Sequence, residues 1–265
     1  DAHAVDAPQA PARAGRTDGA RRTAGRDRGE PACYTGAMRC LLLALAVALA
    51  GAPPARACGL ALLFLVDVSG SVGPRDYRTQ MEGLAAALRD GVVAEALVRE
   101  RAALALVQWT GTNRQQVSIP WRRIDGFDAV DALAAEVAAT PRAWRHFSTA
   151  IGEALALAGT LLDDAPDCRR RVVDVSGDGR SNEGPAPAGA RDRLAAAGVT
   201  VNALVITEGA PGLLAYYERE VIGGRDAFAL SADSFRDYPA RIREKLLREV
   251  ARVLSRRGPA GAGGP

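Results

Sequence analysis

The sequence predicts an α/β fold of the doubly wound type, with a mostly parallel six-stranded sheet and one antiparallel edge strand. Three observations support this prediction. Short, continuous apolar runs have the length of strands that are buried on both faces, as in a parallel sheet. Segments with helical apolar spacing alternate with these runs, as βα units require. The chain of 265 residues is 48% hydrophobic and 25% charged, which is the composition of a globular protein with a substantial core.

Six segments are predicted strands, each bounded by turn residues or by a helical pattern. The clearest is ALLFLV at residues 61–66, an unbroken apolar run. Residues 111–113 (Gly-Thr-Asn) form a predicted turn between the second and third strands, and we assign the third strand to a sheet edge. The predicted strands cover residues 61–66, 102–109, 115–119, 172–175, 199–206 and 227–230.

Five segments are predicted helices, and those that begin near residues 74, 151 and 242 carry the apolar stripe of a helix that packs against a sheet. The first begins at Pro74, a residue type that favours the first helical turn, and its apolar residues recur at spacings of four, three and four from Tyr77 to Leu88. A second stripe runs from Ile151 to Leu162. The remaining predicted helices cover residues 188–197, 213–222 and 242–253.

The distribution of charge argues against a nucleic-acid-binding protein. The formal net charge is +3, but residues 1–57 hold eight Arg and five Asp or Glu, which accounts for the whole excess. The rest of the chain is therefore neutral, whereas binding to phosphates needs a clustered basic surface.

The amino-terminal region has the features of a processed segment. Residues 1–37 lack apolar periodicity, and we expect an unstructured leader or sequence upstream of a true start at Met38. Residues 38–57 have the layout of a secretory signal peptide, with a short basic start, an apolar run and a small-residue site before Cys58. The apolar run is shorter than the roughly 20 residues that span a bilayer. A buried core helix is the alternative interpretation of this run.

These features define the predicted domain organisation. The exported chain, periplasmic or secreted, consists of one domain over residues 58–255 and a Pro/Gly-rich disordered tail over residues 256–265, with no transmembrane span. Of the four Cys, Cys33 and Cys40 precede the domain, so Cys58 and Cys168 remain. An even pair in an oxidising compartment favours a disulfide.

The candidate site begins with Asp67, Ser69 and Ser71, which lie between the first predicted strand and its helix. Loops at the carboxyl ends of parallel strands converge, and ligand sites form there. Ser and Asp before a helix are more often capping residues, so this motif alone favours a structural role.

Two further loops add oxygen-bearing side chains. Thr149 precedes a predicted helix, and Asp178 follows the strand at residues 172–175. With the first loop they supply two carboxylates and three hydroxyls, but no sulfur or imidazole. Such a set suits a hard divalent cation, magnesium before calcium, with water completing the coordination.

The three loops together resemble a known family. FLVDVSGSVG at residues 64–73, TAIGEAL at 149–155 and VVDVSGDGRSNEG at 172–184 look like the loops of the metal-ion-dependent adhesion site (MIDAS) of von Willebrand factor type A (vWA) domains. The resemblance covers about residues 58–254, and the order and spacing of the loops make it specific. The chain also resembles a group of secreted bacterial proteins that contain little more than this domain and have no characterised role.

The resemblance implies a Rossmann-like fold and a set of metal ligands. By position in the motifs, the implied set is Asp67, Ser69, Ser71, Thr149 and Asp178, with the hydroxyls binding magnesium or manganese directly and the carboxylates acting partly through water. One coordination position is left for an acidic side chain of a protein partner. The implied function is therefore metal-dependent protein binding, without catalysis.

This sequence departs from the family pattern in its second loop. Small Gly residues usually precede the Thr, whereas here residues 146–148 are His-Phe-Ser, which raises the question of how wide the site is. Asp174 is a competing carboxylate for the third loop. Because it lies within a predicted strand, we interpret it as a buried structural residue and prefer Asp178 as the ligand.

The family's strand order also bears on the two Cys. It places the first strand beside and parallel to the strand that ends near Asp178. Cys58 lies nine residues before Asp67, and Cys168 lies ten before Asp178, so the two would sit at nearly one height on neighbouring strands. Neighbouring strands are about 4.8 Å apart, within the range that a disulfide tolerates. A bridge between Cys58 and Cys168 is therefore predicted.

An enzymatic function and a purely structural role remain as alternatives to metal-dependent protein binding. A metal-dependent hydrolase, or one using Ser and His146, is the enzymatic alternative, but the sequence lacks a G-x-S-x-G elbow and a Walker-type phosphate loop. An aspartyl-phosphate phosphatase would need an acid where Ser69 stands. The third alternative is a structural domain whose loop residues only cap helices.

The rim of the site offers two candidate partner contacts. Trp109 ends a predicted strand and could anchor a partner, or it could pack in the core. His146 could belong to the same rim. Arg114, Arg142 and Arg145 could flank it and attract an acidic partner, or could be ordinary solvated side chains.

Overall fold

A computed structural model describes residues 58–255, and the predicted leader, signal peptide and tail lie outside this range. The domain contains one six-stranded sheet with the strand order β3-β2-β1-β4-β5-β6. All neighbouring pairs are parallel except β2 and β3, so the predicted fold class, including the antiparallel edge strand, is confirmed. The strands are β1 Cys58–Asp67, β2 Ala103–Trp109, β3 Gln115–Arg123, β4 Cys168–Gly177, β5 Val199–Ile206 and β6 Ala229–Ala232.

Seven helices are described, and they cover both faces of the sheet. They are α1 Pro74–Leu88, α2 Gly91–Arg99, α3 Phe127–Ala139, α4 Ile151–Asp163, α5 Pro187–Ala196, α6 Leu213–Glu220 and α7 Tyr238–Ser255. Five of them were predicted, with ends that differ by a few residues, whereas α2 and α3 were not. None of the described helices is long and apolar enough to cross a membrane.

Two hydrophobic layers hold the helices against the sheet, and β1 contributes to both because successive side chains of a strand point to opposite faces. Leu62 and Phe64 pack in the layer that contains α1, α2, α3 and α7. Leu63 and Leu65 pack in the layer that contains α4, α5 and α6. Every residue of β1 is buried, as the continuous apolar run predicts for a central parallel strand.

The disulfide between Cys58 and Cys168 is confirmed. The two residues are register partners at the start of β1 and β4, with their Cα atoms 4.4 Å apart. The bridge therefore joins neighbouring strands at the edge of the sheet where the parallel strands begin, which we call the amino edge. The opposite edge, where these strands end, is the carboxyl edge.

A buried ionic cluster attaches α7 to the sheet. Lys245 has no exposed surface, and its Nζ atom lies 2.5 Å from Asp174 Oδ2 and 2.8 Å from Glu249 Oε1. Asn202 on β5 also donates to Glu249 Oε1, at 2.8 Å. The interpretation of Asp174 as a buried structural residue is thus confirmed. The sequence analysis did not identify Lys245 as the partner of Asp174.

Burial and the neighbouring Glu249 carboxylate raise the pKa of Asp174 to about 7, and the ion pair with Lys245 opposes this shift. The two carboxylates raise the pKa of Lys245, which therefore stays charged. Because two carboxylates share one ammonium group, the cluster carries one excess negative charge unless it binds a proton.

Candidate functional site

The candidate site lies at the carboxyl edge, between β1 and β4. From β1 the chain continues to β2 on one side, whereas β4 and β5 lie on the other side. The order of the strands reverses between β1 and β4, and such a switch point is the usual ligand position in a doubly wound sheet.

The loop after β1 contributes a buried carboxylate and two hydroxyls. Asp67 ends the strand with no exposed surface, and its Oδ1 atom accepts a hydrogen bond from the Ser69 backbone N–H at 2.7 Å. Its Oδ2 atom is buried and has no hydrogen-bond partner. The Ser69 and Ser71 hydroxyl oxygens lie 3.2 Å apart. This loop thus holds an acceptor that is unsatisfied by the protein itself.

The loop after β4 reaches the first loop directly. The Ser71 hydroxyl donates to Asp178 Oδ1 at 2.8 Å, although the two residues are 107 positions apart. Asp178 is half-buried, and its charge contributes to the electrostatic environment of Asp67. The first and third predicted loops are therefore in contact.

The second loop brings Thr149 to the same place through backbone pairing with the third. The Thr149 N–H donates to Asn182 Oδ1 at 2.9 Å, and the Asn182 N–H donates to the Thr149 carbonyl at 2.9 Å. A Cβ atom placed on Gly179 would lie 3.7 Å from Thr149 Oγ1, so this hydroxyl lies beside the residue after Asp178. The structure thus brings together all five side chains that were predicted from the three loops.

Gly177 allows β4 to approach the buried end of the site. A Cβ atom there would lie 2.5 Å from the Tyr217 hydroxyl oxygen and 3.1 Å from Asp67 Oδ2. Tyr217, on α6, is fully buried, and its hydroxyl donates to the Gly179 carbonyl at 3.1 Å. Tyr217 therefore supports the third loop from the core side, a role that the sequence analysis missed.

Gly177→Ala is expected to lower the free energy of unfolding by about 1–3 kcal/mol, because neither the Tyr217 ring nor the Asp67 carboxylate has room to move. Urea unfolding followed by tryptophan fluorescence measures this change. Gly91→Ala is the matched control. Gly91 lies at the start of α2 with no atom within 4 Å of the added methyl, and alanine favours helix, so we expect a small gain. Equal effects of the two substitutions would contradict the close approach at Gly177.

The electrostatics of the site indicate a need for positive charge. Burial, together with the neighbouring Asp178 carboxylate, raises the pKa of Asp67 to about 7. Burial also raises the pKa of Asp178. The Arg142 guanidinium lies behind the first loop, where its Nη2 atom donates to the Val68 and Ser69 carbonyls at 3.0 and 2.9 Å. Arg142 therefore holds the loop, in contrast to the partner-attracting role considered for it from the sequence.

The donor set fits a hard divalent cation. It consists of two carboxylates and three hydroxyls, and the Asp67 oxygen without a hydrogen-bond partner is an open acceptor. Within residues 58–255 there is no group of three or more His, Cys, Asp or Glu side chains that could hold a metal. A metal at this site would consequently depend on hydroxyl and water ligands as well as on Asp67 and Asp178.

The unusual second loop lies against the first through its backbone. The Gly70 N–H donates to the Phe147 carbonyl at 2.8 Å. His146 adopts a left-handed conformation, with φ of 62°, and both side chains are exposed. The Phe147 ring packs under Arg114, whose guanidinium carbon lies 4.1 Å from the ring centroid. The bulk of these residues is therefore at the rim of the site.

Trp109 does not belong to this rim. It has no exposed surface and packs in the same layer as Val107, with which it shares a face of β2. The hypothesis that Trp109 anchors a partner is therefore wrong. Trp109 does end its strand, but its side chain points into the hydrophobic layer instead of towards solvent. The alternative of core packing is the one observed.

Comparisons with known proteins give a family and a fold. A family model described as "Protein of unknown function (DUF1194)" matches residues 57–254. The comparison with curated proteins gave no significant match. Among solved structures, proximal thread matrix protein 1 from the mussel byssus has a TM-score of 0.57 at 18% identity, covering 74% of this chain and 48% of that chain. Another structure of that protein is described as having a zinc-occupied MIDAS motif.

Two bacterial structures show the same likeness. The von Willebrand factor type A protein from Catenulispora acidiphila has a TM-score of 0.52 at 17% identity, covering 72% of this chain and 43% of that chain. The pilus adhesin SpaC from Lactobacillus rhamnosus GG has a TM-score of 0.55 at 12% identity, covering 74% of this chain and 31% of that chain. The chain spans at most about half the length of these three proteins. It has the vWA fold, and its match over residues 57–254 places it in the family described as "Protein of unknown function (DUF1194)".

Proposed function

We propose that this protein is an exported protein-binding domain that depends on a divalent cation, magnesium in the first instance, to capture an acidic group of a protein partner. The observation that carries the proposal is the convergence of three sequence-distant loops on the buried Asp67 carboxylate, which has one oxygen without a partner. Manganese and calcium are chemically possible substitutes because the donors are all oxygens.

Each ligand has a proposed role. The hydroxyls of Ser69, Ser71 and Thr149 bind the ion directly, and Asp67 and Asp178 neutralise its charge, partly through water. When bound, the ion offers a coordination position to a carboxylate of the partner and fixes its orientation. No bond is made or broken, so we propose a binding function and no enzymatic activity.

The proposed localisation and domain boundaries rest on separate observations. Residues 38–57 have the pattern of a signal peptide, and the disulfide between Cys58 and Cys168 is typical of oxidising compartments. We propose removal of residues 1–57 on export to the periplasm or beyond, with residues 58–255 as the binding domain and residues 256–265 as a disordered tail. Pilus and byssus proteins with the same fold are compatible with an extracytoplasmic role.

Magnesium titration tests the proposal. Calorimetry should detect binding, and a magnesium concentration 100-fold above the dissociation constant should stabilise the protein by about 2.7 kcal/mol. A domain whose loop residues only cap helices would show neither heat nor a rise in melting temperature. A pull-down from envelope extract with magnesium, compared with one with chelator, then identifies the partner, and a substrate panel addresses the hydrolase alternative.

Asp178→Asn makes the test specific to the site. In metal-free protein this substitution removes one of two neighbouring carboxylates, so we expect the melting temperature to rise. The same substitution should abolish the further rise caused by magnesium. Asp163→Asn, at the exposed end of α4, is the control and should leave both values unchanged. A normal magnesium response in Asp178→Asn would refute the assigned ligand set.

A further inference from the structure

Two arginine–aromatic pairs stand at the rim of the candidate site. The Arg114 guanidinium carbon lies 4.1 Å from the centroid of the Phe147 ring, and the Arg180 guanidinium carbon lies 4.9 Å from the centroid of the Tyr216 ring. Stacking on a ring restricts the long arginine side chain before any partner arrives, which reduces the entropy lost on binding.

The first pair borders the site on the β2 side. Arg114 lies in the turn between β2 and β3, and the Phe147 carbonyl accepts a hydrogen bond from the Gly70 N–H at 2.8 Å. Gly70 stands between Ser69 and Ser71 in the chain. Phe147 is 39% exposed, and its backbone lies beside the loop that carries these two serines.

The second pair borders the site on the β5 side. Arg180 follows Asp178 by two residues, and its Nη2 atom donates to the carbonyl of Gly212, in the segment between β5 and α6. The Tyr216 hydroxyl oxygen accepts a hydrogen bond from the Ser181 N–H at 3.2 Å. Because β2 is next to β1 and β5 is next to β4, the two pairs lie on opposite sides of the site.

Neither guanidinium is neutralised by a side chain in the part of the chain that the structure describes. Arg114 donates to the Thr112 carbonyl and Arg180 to the Gly212 carbonyl, and neither forms an ion pair. Glu153 and Glu183, which contact the loop at residues 111–113, accept hydrogen bonds from the N–H groups of Asn113 and Thr112. Each guanidinium has five N–H donors, so most remain free for a ligand.

We infer that the partner presents an acidic segment with several carboxylates: one binds at the cation, and others on either side of it pair with Arg114 and Arg180. This inference rests on the proposed function and deepens it, because an isolated carboxylate would meet the cation but could not reach both arginines. Carboxylates pair well with guanidinium groups through two parallel hydrogen bonds. The preferred partner is thus an extended acidic peptide segment.

Two synthetic peptides of equal length test this inference on the whole exported protein in the presence of magnesium. One carries a single Asp in a Gly/Ser chain, and the other carries Asp at the centre and at several flanking positions. We expect the acidic peptide to bind about five- to tenfold more tightly, with an advantage that shrinks as salt is added.

The double substitution Arg114→Gln and Arg180→Gln should remove this advantage, while affinities for magnesium and for the single-Asp peptide stay within about twofold of the original. Phe147→Leu, which keeps Arg114 but removes its ring, should cause a smaller loss. Arg99→Gln, an exposed arginine at the end of α2 near the amino edge, is the matched control for charge and should change nothing.

The outcomes separate the two proposals. Absence of magnesium binding would refute the proposed function. Magnesium binding with equal affinity for the two peptides, or with no binding of the acidic peptide, would overturn the inference alone. A loss in Arg99→Gln as large as in the double variant would also overturn it, because the effect would then reflect net charge.

Discussion

Replacement of both Cys58 and Cys168 with alanine is expected to lower the free energy of unfolding by about 4–5 kcal/mol on the loop-entropy model. The disulfide closes a sequence separation of 110, so its removal frees a large loop in the unfolded chain. The loss should appear in urea unfolding of the protein, followed by tryptophan fluorescence. The slope of free energy against urea should rise, because an unfolded chain without the bridge exposes more surface.

Reduction of the original protein with a thiol reagent provides the control for this prediction. It should cause a comparable loss, whereas the double alanine variant should be insensitive to the reagent. The magnesium response should persist in the variant at temperatures where it is folded, because the disulfide lies at the amino edge and the candidate site at the carboxyl edge. A loss below about 1 kcal/mol would mean that the bridge constrains the unfolded chain far less than its loop length implies.

Lys245→Met is expected to lower the free energy of unfolding by about 3–5 kcal/mol, the usual effect of removing one partner from a buried ion pair. Methionine fills a similar volume, so the loss is electrostatic: Asp174 and Glu249 remain buried without their cation. The measurement is urea unfolding at pH 8 and at pH 5.5. Loss of the ammonium group raises the pKa of Asp174 further, because Lys245 had favoured its charged form.

The loss of unfolding free energy caused by Lys245→Met should be smaller at pH 5.5 than at pH 8. An acid whose pKa is raised by folding binds more protons in the folded state, so its contribution to stability falls as pH rises from its unfolded value towards its folded value. Lys245 itself contributes no pH dependence in this range, since its raised pKa lies above 10.5.

A triple variant gives the control for Lys245→Met. Adding Asp174→Asn and Glu249→Gln to it removes every charge of the cluster and should recover more than half of the lost free energy. No recovery in the triple variant would show that the single substitution acts through packing. An unchanged deficit between the two pH values would contradict the electrostatic cause.

The sheet was largely predictable from apolar runs, but only some of its strand ends were. β5 matches its predicted range of residues 199–206, because turn residues and helical patterns bound it closely. β4 begins at Cys168, four residues before the predicted start at Val172, and includes three consecutive arginines. Backbone pairing with β1 sets this end, and the long side chains can extend towards solvent at the amino edge. Charge at a strand end is thus weak evidence against a strand.

The two helices that the sequence analysis missed, α2 and α3, have sequence features other than long apolar runs. In α3, Val130, Leu133, Ala134 and Val137 are buried with helical spacing, but alanine makes the stripe inconspicuous. In α2, the Asp90 side chain accepts hydrogen bonds from the N–H groups of Val92 and Val93, which is a helix N-cap. Both elements could have been found by weighting caps and alanine more heavily.

The proximity of the five candidate side chains was predictable because strand-end loops in a parallel sheet converge by topology. The residues that orient them were not, since their roles depend on backbone pairing: Asn182 binds the main chain of Thr149, and Tyr217 comes from α6. Lys245 did carry a signal, as the only lysine in a chain with 34 basic residues. A compact ammonium group can lie between two buried carboxylates, where the planar guanidinium of arginine is larger and less adaptable.

The direction of α7 determines how the domain can be displayed. Its residues meet β4 in reverse order: Tyr238 at Ser176, Lys245 at Asp174 and Glu249 at Arg170. The helix therefore runs back towards the edge where β1 starts, so Cys58 and Ser255, the first and last described residues, both lie on the side away from Asp67. A surface attached at either of these two positions would therefore leave the candidate site facing outward.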